Sequence, residues 1–132
     1  MRILLDTHTF IWFAEGAPEL SAKARSLIED MDNDSYVSIA SLWEMSIKVC
    51  LGKLDLKIGN FDKVIDMLTE NGFQILNIDF LHTLENSKLP FHHRDPFDRI
   101  ILSQGIVENM NIVGIDTIFD EYLADKSIKR LW

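Results

Sequence analysis

Only one of the 132 residues is a cysteine, which excludes an internal disulfide and a zinc site built from cysteines. The sequence also has no unbroken apolar run of about 18 residues, the length that a membrane-spanning helix needs. The apolar run at residues 3–5 ends at Asp6 and is too short for the apolar region of a signal peptide. We therefore expect a cytoplasmic protein with no membrane segment.

Common catalytic and nucleotide-binding motifs are also missing: there is no P-loop, no G-x-G-x-x-G and no G-x-S-x-G. Basic residues are scarce, because 13 lysines and arginines stand against 21 aspartates and glutamates, a formal net charge of −8. This charge argues against tight, sequence-independent binding of long duplex nucleic acid. It suits a basic protein partner, and carboxylates that bind divalent cations would account for part of it.

The apolar content is sufficient for one core, since 47% of the residues are hydrophobic. No repeat, low-complexity tract or long linker divides the chain, so we expect a single domain over residues 1–132. Nearly continuous apolar runs predict strands at residues 2–5, 35–39, 74–78 and 111–115, with a fifth at 128–131. Continuous rather than alternating runs indicate strands that are covered on both faces, as in parallel sheets.

Amphipathic segments between these runs predict helices at residues 21–31, 41–51, 61–71, 80–86, 96–109 and 118–124, after a first helix that follows Asp6. Gly52 and Gly72 come directly after two of them, where a glycine commonly ends a helix. Strands that alternate with helices predict an α/β fold with a mostly parallel sheet. In such sheets, ligands bind beyond the carboxyl ends of the strands.

Four carboxylates fall at that edge of the predicted sheet. Asp6 and Asp116 end the first and fourth strands, and Glu44 and Asp98 lie in the first turns of helices. Hard divalent cations prefer oxygen ligands, and Mg²⁺ takes a few carboxylates together with water. Hydrolysis of a phosphodiester needs an activated water and neutralised phosphoryl oxygens, which one or two such ions supply without a side-chain nucleophile. The pattern is therefore compatible with a metal-dependent phosphodiesterase.

Each acid also has a purely structural interpretation. Asp6 and Asp116 each precede a threonine and fit helix N-caps. Ser41 and Glu44 have the S-x-x-E spacing of a capping box. Helix caps and metal ligands favour the same places, so the sequence pattern alone leaves both interpretations open.

The densest polar stretch runs from His92 to Arg99. Asp95 fits an N-cap, followed by a proline at the first helical position and by Asp98 at the third. Two adjacent histidines point in different directions, so we favour a loop before a helix over a transition-metal site. Arg94 or Arg99 is placed either to meet a phosphate or to form an ion pair with a carboxylate.

Four segments carry these acids in order: "ILLDTHTFIWF", "SIASLWEMSIKVCLGKLDL", "HHRDPFDRIILSQGI" and "NIVGIDTIFDEY". Together they resemble, in the same order, the acidic motifs of PIN-domain nucleases from residue 1 to about residue 122. The most similar subgroup is the VapC-like toxins of type II toxin–antitoxin systems.

The resemblance implies a three-layer α/β/α sandwich around a mostly parallel sheet. It implies an endoribonuclease that uses Mg²⁺ or Mn²⁺ to cut single-stranded or looped RNA. Its metal ligands would be Asp6, Glu44 and Asp98, with Asp116 as the fourth acid and with Thr7 and Asp95 in support.

The resemblance also implies a small antitoxin whose tail lies across the site and inserts a basic side chain among the acids. It further implies a homodimer. Two alternatives remain. One is a PIN fold kept for binding without turnover. The other is a phosphohydrolase of the haloacid dehalogenase type, which needs a second aspartate where this chain has His8.

Overall fold

Five strands and seven helices alternate along the chain in the computed structural model, which describes all residues 1–132. The elements are β1 (Arg2–Leu5), α1 (Thr7–Glu15), α2 (Ala22–Glu29), β2 (Asp34–Ser38), α3 (Ile39–Cys50), α4 (Lys63–Glu70), β3 (Gln74–Leu76), α5 (Phe80–Lys88), α6 (Pro96–Glu108), β4 (Asn111–Val113), α7 (Ile118–Leu123) and β5 (Arg130–Leu131). The strands form one sheet in the order β3-β2-β1-β4-β5, and every pairing is parallel. The predicted parallel sheet is confirmed.

Helices cover both faces of this sheet, which confirms the three-layer sandwich. Side chains alternate along a strand, so Ile3 and Leu5 of β1 face one layer and Leu4 faces the other. The first two pack with buried residues of α1 to α4 such as Phe10 and Met45. On the opposite face, Leu4 packs with Ile101 of α6. Because each strand is buried on both sides, the strands read as the continuous apolar runs noted above.

Helix α7 and the segment before β5 complete the packing on the face of the sheet that α6 covers. Leu102 and Ile112 pack with Phe119 and Tyr122 of α7 and with Ile128, which precedes β5. None of the seven helices is long and apolar enough to cross a membrane.

The start of α3 differs from the prediction. The helix begins at Ile39 because Ser38 is its N-cap, with Ser38 Oγ accepting a hydrogen bond from the Ala40 N–H at 3.0 Å. Ser41 is therefore inside the helix, and the capping box predicted for Ser41 and Glu44 is wrong. Glu44 consequently lies in the second turn of α3 rather than in the first.

Three strands are shorter than predicted: β5 begins at Arg130 rather than at residue 128, and the sheet explains the ends of β3 and β4. β4 ends at Val113, which pairs with Leu5, because the neighbouring strand β1 gives way to α1 at Asp6. β3 ends at Leu76, which pairs with Ser38, because β2 gives way there to α3. The apolar residues that follow each strand lie outside the ladder.

Candidate metal centre

A crevice at the carboxyl edge of the sheet follows from the strand order. From the central β1 the chain moves outward through β2 and β3, then crosses to β4 on the other side of β1. This change of direction opens a crevice beyond the strand ends, where ligands of α/β sheets bind. Asp6 follows β1 directly, and its backbone N–H donates to the carbonyl of Val113, the last residue of β4, at 3.0 Å. Asp116 lies three residues after Val113.

Asp6 has a buried carboxylate with one oxygen in use. It is the N-cap of α1, as the structural interpretation predicted, and Oδ1 accepts a hydrogen bond from the Thr9 N–H at 2.8 Å. Only 4% of the residue is exposed. Burial raises the pKa of Asp6, and Asp116 adds a smaller rise, while the hydrogen bonds from Thr9 lower it. The cap therefore leaves this carboxylate short of positive charge.

Asp95 and Asp98 lie at the start of α6, in the arrangement that the sequence predicts. Asp95 is the N-cap, and its Oδ1 accepts from the Phe97 N–H at 2.9 Å and from the Asp98 N–H at 3.5 Å. Burial, followed by the charge of Asp95, raises the pKa of Asp98 to about 7. The charges of Asp6 and Glu44 contribute smaller parts of this rise in pKa, so both acids lie close enough to repel Asp98 electrostatically.

Glu44 reaches the same region from α3 and is neutralised by its own helix. It is 5% exposed, and Glu44 Oε2 lies 2.8 Å from Nζ of Lys48, one turn further along α3. Lys48 is in the last turn, where a cation also suits the helix dipole. Its second role, as the counter-charge of a buried acid, was not part of the sequence prediction.

His93 brings two of the acids together and is not among the predicted site residues. Its Nε2 lies 3.0 Å from Asp98 Oδ2 and 3.1 Å from Asp116 Oδ2. Its Nδ1 accepts a hydrogen bond from the Asp95 N–H at 3.1 Å, so the ring proton is on Nε2 and faces the carboxylates. The ligand atoms of His93, Asp98 and Asp116 all lie within 4.8 Å of one another.

One sign of this role in the sequence is that His93 lies two residues before Asp95, the N-cap of α6. The contact with Asp116 spans 23 residues and becomes visible only in the fold. Asp116 itself also acts as a cap, because its Oδ1 accepts from the Ile118 N–H at 3.0 Å at the start of α7. Its side chain stays 42% exposed.

Thr7 links the first two acid-bearing elements. Its Oγ1 donates to Oγ of Ser41 in α3 at 2.9 Å, and both residues are buried. Since the hydroxyl proton of Thr7 is used in this bond, only its lone pairs remain for another ligand. The expected contact of Thr7 with a metal stays a prediction.

Arg99 turns away from the acids, and no carboxylate pairs with it. Its guanidinium donates to the carbonyl oxygens of Asn86, Leu89, Pro90 and His93 and to the Tyr122 hydroxyl. It also lies over the Phe91 ring, 5.1 Å from the centroid. The ion pair predicted for Arg99 is absent, since the side chain holds the segment that carries His93. Its contact with a phosphate stays a prediction.

A second group of acids and a histidine has a structural explanation. His82 is buried, its Nδ1 accepts from the Asp79 N–H at 3.0 Å, and its Nε2 lies 2.9 Å from Glu108 Oε1. Both ring nitrogens are therefore satisfied by the start of α5 and the end of α6. This group fastens α5 to α6 rather than offering free ligand atoms.

The donors at the carboxyl edge fit a hard divalent cation. Asp6, Glu44, Asp98 and Asp116 supply carboxylate oxygens, and burial or mutual repulsion raises the pKa of Asp6 and Asp98. The only opposing groups in contact are Lys48 and the imidazole of His93. A cluster of this kind is short of positive charge, and oxygen donors suit Mg²⁺ and Mn²⁺.

The chain belongs to the PIN domain family, whose model matches residues 3–123. Proteins of this family are in general nucleases that use a divalent metal. The family resemblance drawn from the four acidic segments is thereby confirmed. No curated protein matches the chain in sequence.

Several solved structures share this fold at low sequence identity. VapBC2 from Rickettsia felis, bound to a DNA fragment from its promoter, has a TM-score of 0.71 at 17% identity, with 99% of this chain and 98% of that chain covered. DNA-bound VapBC from Salmonella typhimurium has a TM-score of 0.71 at 14% identity, with 99% and 97% covered. FitAcB from Neisseria gonorrhoeae has 0.66 at 17%, with 98% and 96% covered.

Proposed function

We propose that this chain is a metal-dependent endoribonuclease that hydrolyses single-stranded or looped RNA. The observation that carries the proposal is the convergence of four carboxylates on the carboxyl edge of a PIN-domain sheet. They come from separate elements: Asp6 after β1, Glu44 in α3, Asp98 in α6 and Asp116 after β4. Asp6 is buried without a cationic partner, and such a carboxylate is costly to keep charged unless a cation binds beside it.

In this mechanism Asp6, Glu44 and Asp98 hold Mg²⁺ or Mn²⁺, and Asp116 is the fourth acid. The bound ion supplies the Lewis acidity that activates water and neutralises charge on the phosphoryl oxygens. As a ligand, Asp98, whose pKa is raised to about 7, would bind as the carboxylate. Glu44 would offer the ion a carboxylate whose Oε2 is in contact with Lys48.

The remaining polar groups position these ligands. The His93 N–H orients the facing oxygens of Asp98 and Asp116. The bond between Thr7 and Ser41 joins α1, which Asp6 caps, to α3, which carries Glu44. Such supporting contacts fix ligand geometry in metal sites, and their loss commonly costs about 10–100-fold in metal affinity.

We further propose that the chain is the toxin of a toxin–antitoxin pair in the cytoplasm. VapBC from Salmonella typhimurium and FitAcB from Neisseria gonorrhoeae share its fold over nearly the whole chain. The net charge of −8 is complementary to a basic antitoxin segment that places a cationic side chain among the acids. A homodimer is the assembly that we propose for the chain itself.

Cleavage of a mixed pool of structured and unstructured RNAs tests the nuclease proposal. We expect cutting with Mg²⁺ or Mn²⁺, none with EDTA, and none for Asp98→Asn. Asp34→Asn is the matched control, because Asp34 is an exposed aspartate at the amino end of β2, away from the site. Cleavage that survives both EDTA and Asp98→Asn would overturn the proposal. Metal binding without any cleavage would instead identify a PIN fold kept for binding.

A further inference from the structure

An open cleft of about 420 Å³ adjoins the acids on one side. Glu44 and Asp95 form part of its wall, so the cleft leads directly from the carboxylate cluster. Two cationic side chains, Lys48 and Arg94, and the ring of Phe97 also line it. In a chain with a net charge of −8, two cations in one cleft beside the candidate metal site are a local exception.

Arg94 has no partner within the chain. It is exposed and makes no hydrogen bond or ion pair, whereas Arg99, on the following helix, is fully engaged with carbonyl oxygens. Lys48 is bonded to Glu44, and its side chain is 36% exposed. Both side chains line the cleft and reach solvent, so an anionic ligand in the cleft can contact them.

An aromatic pair stands beside the cleft: Phe97 lines it, and Trp43 is in contact with Phe97. Trp43, the neighbour of Glu44 in α3, is 61% exposed. Its ring meets Phe97 edge to face, with centroids 5.2 Å apart and an angle of 78° between the planes. This contact fixes the orientation of an indole whose surface is mostly free. Bases of a single strand can stack on such a ring, while bases inside a duplex cannot.

We infer that this cleft binds the single-stranded RNA strand next to the scissile phosphate. Lys48 and Arg94 contact backbone phosphates, and Trp43, held by Phe97, stacks against one base. The inference rests on the proposed nuclease function. In this account two cations beside the carboxylates contact the strand, and no broad basic face is needed.

A protein partner is the competing occupant for Trp43. An apolar groove between α3 and α4, lined by Leu42, Phe61 and Ile65, also contains Trp43. Lys48 and Arg94 lie outside that groove. Substitution of Arg94 therefore reports on the cleft alone, and its effect separates RNA binding from partner binding. Lys48 also carries the counter-charge of Glu44.

Equilibrium binding of a short fluorescent single-stranded RNA tests the inference. The measurement uses Asp98→Asn protein in Mg²⁺, so that binding is recorded without turnover and does not depend on whether the wild type cuts RNA. Fluorescence anisotropy is recorded at several KCl concentrations. Each cation that contacts a phosphate contributes about 0.7 to the slope of log Kd against log salt for a single strand.

We expect Arg94→Gln and Lys48→Gln each to lower that slope by about 0.7, while Arg94→Lys and Lys48→Arg preserve it. Lys23→Gln is the matched control, because Lys23 is an exposed lysine on α2 that does not line the cleft. Trp43→Ala should weaken single-strand binding about tenfold and leave binding to a duplex of the same sequence unchanged.

Two results would overturn the inference. One is an unchanged salt slope in both glutamine variants. The other is weaker binding in Trp43→Ala while the cation variants keep the parental slope, which would assign Trp43 to the apolar groove. The melting temperature of Arg94→Gln should equal that of its parent, because Arg94 has no partner to lose.

Discussion

The carboxylate of Asp6 lies against the backbone of Gly114, where β1 and β4 both end. A Cβ atom at position 114 would stand 2.9 Å from Asp6 Cγ and closer still to Oδ2. Real Cβ atoms almost never make such short contacts, so the position of Asp6 depends on the missing side chain. The other oxygen, Oδ1, is held by the Thr9 N–H. Gly114 is thus a positioning residue for an acid of the site.

Replacing Gly114 with alanine should displace the Asp6 carboxylate and weaken Mn²⁺ binding about tenfold or more, as loss of supporting contacts does in other metal sites. Calorimetric titration measures this. Gly105→Ala is the control, because a Cβ there would stand 2.8 Å from Ile112 Cδ1 in the core. It should lower the melting temperature and leave the metal affinity of the folded protein unchanged. Equal Mn²⁺ affinity in Gly114→Ala and the wild type would argue against this role.

Metal-free protein should become less stable as the pH rises through the titration of Asp98. Its pKa is raised from 3.8 to about 7, so between these values the folded state binds more protons than the unfolded state. Ionisation of Asp98 therefore destabilises the fold, by up to about 1.4 kcal/mol for each pH unit in this window. Asp98→Asn removes this effect and should be more stable than the wild type at neutral pH and above.

Urea denaturation in EDTA at about pH 5 and about pH 8 measures the change. The stability gained in Asp98→Asn should be larger at the higher pH. Asp34→Asn, at an exposed aspartate away from the site, should show no such widening. A gain that is the same at both pH values would contradict the raised pKa.

Arg99→Gln should reduce stability rather than RNA binding. The guanidinium donates to the carbonyls of Asn86, Leu89, Pro90 and His93 and to the Tyr122 hydroxyl, so its loss leaves several acceptors without a charged donor. We expect the free energy of unfolding to fall by about 2–3 kcal/mol. The salt slope of RNA binding should stay unchanged, in contrast to Arg94→Gln. The opposite pattern would place Arg99 at the phosphate.

RNA products should carry a 5′-phosphate and a 3′-hydroxyl. In the proposed reaction a metal-activated water, and not the ribose 2′-hydroxyl, is the nucleophile. Enzymatic end-labelling before and after phosphatase treatment distinguishes the ends. Fragments that finish in a 2′,3′-cyclic phosphate would exclude hydrolysis by water.

The parallel sheet was predictable from the sequence because strands that are buried on both faces have nearly continuous apolar sequences. Residues 2–5 match β1 at both ends. The ends of helices were harder to predict where a single capping side chain determines them. Ser38 caps α3, so the predicted start at residue 41 was wrong. Both serines suit a cap, and only the fold shows that Ser41 is instead the partner of Thr7.

The acids of the site were predictable from their positions, and their counter-charges were not. A carboxylate that follows a parallel strand reaches the same edge whatever the loops do. His93, however, meets Asp116 only because the segment before α6 folds over the end of β4. Lys48 has the spacing of an ion pair with Glu44, yet the spacing alone does not distinguish a buried partner from a solvated one.

Titration of the metal-free protein with Mn²⁺ by calorimetry tests the central claim most directly, since it asks whether the four carboxylates form a site. We expect saturable binding by the wild type, binding that tightens as the pH rises towards about 7, and a loss of at least about tenfold in Asp98→Asn and Asp6→Asn. Asp34→Asn should bind like the wild type. Undetectable binding by the wild type, or equal affinity in Asp98→Asn, would show that the acids serve as helix caps and ion-pair partners and form no metal centre.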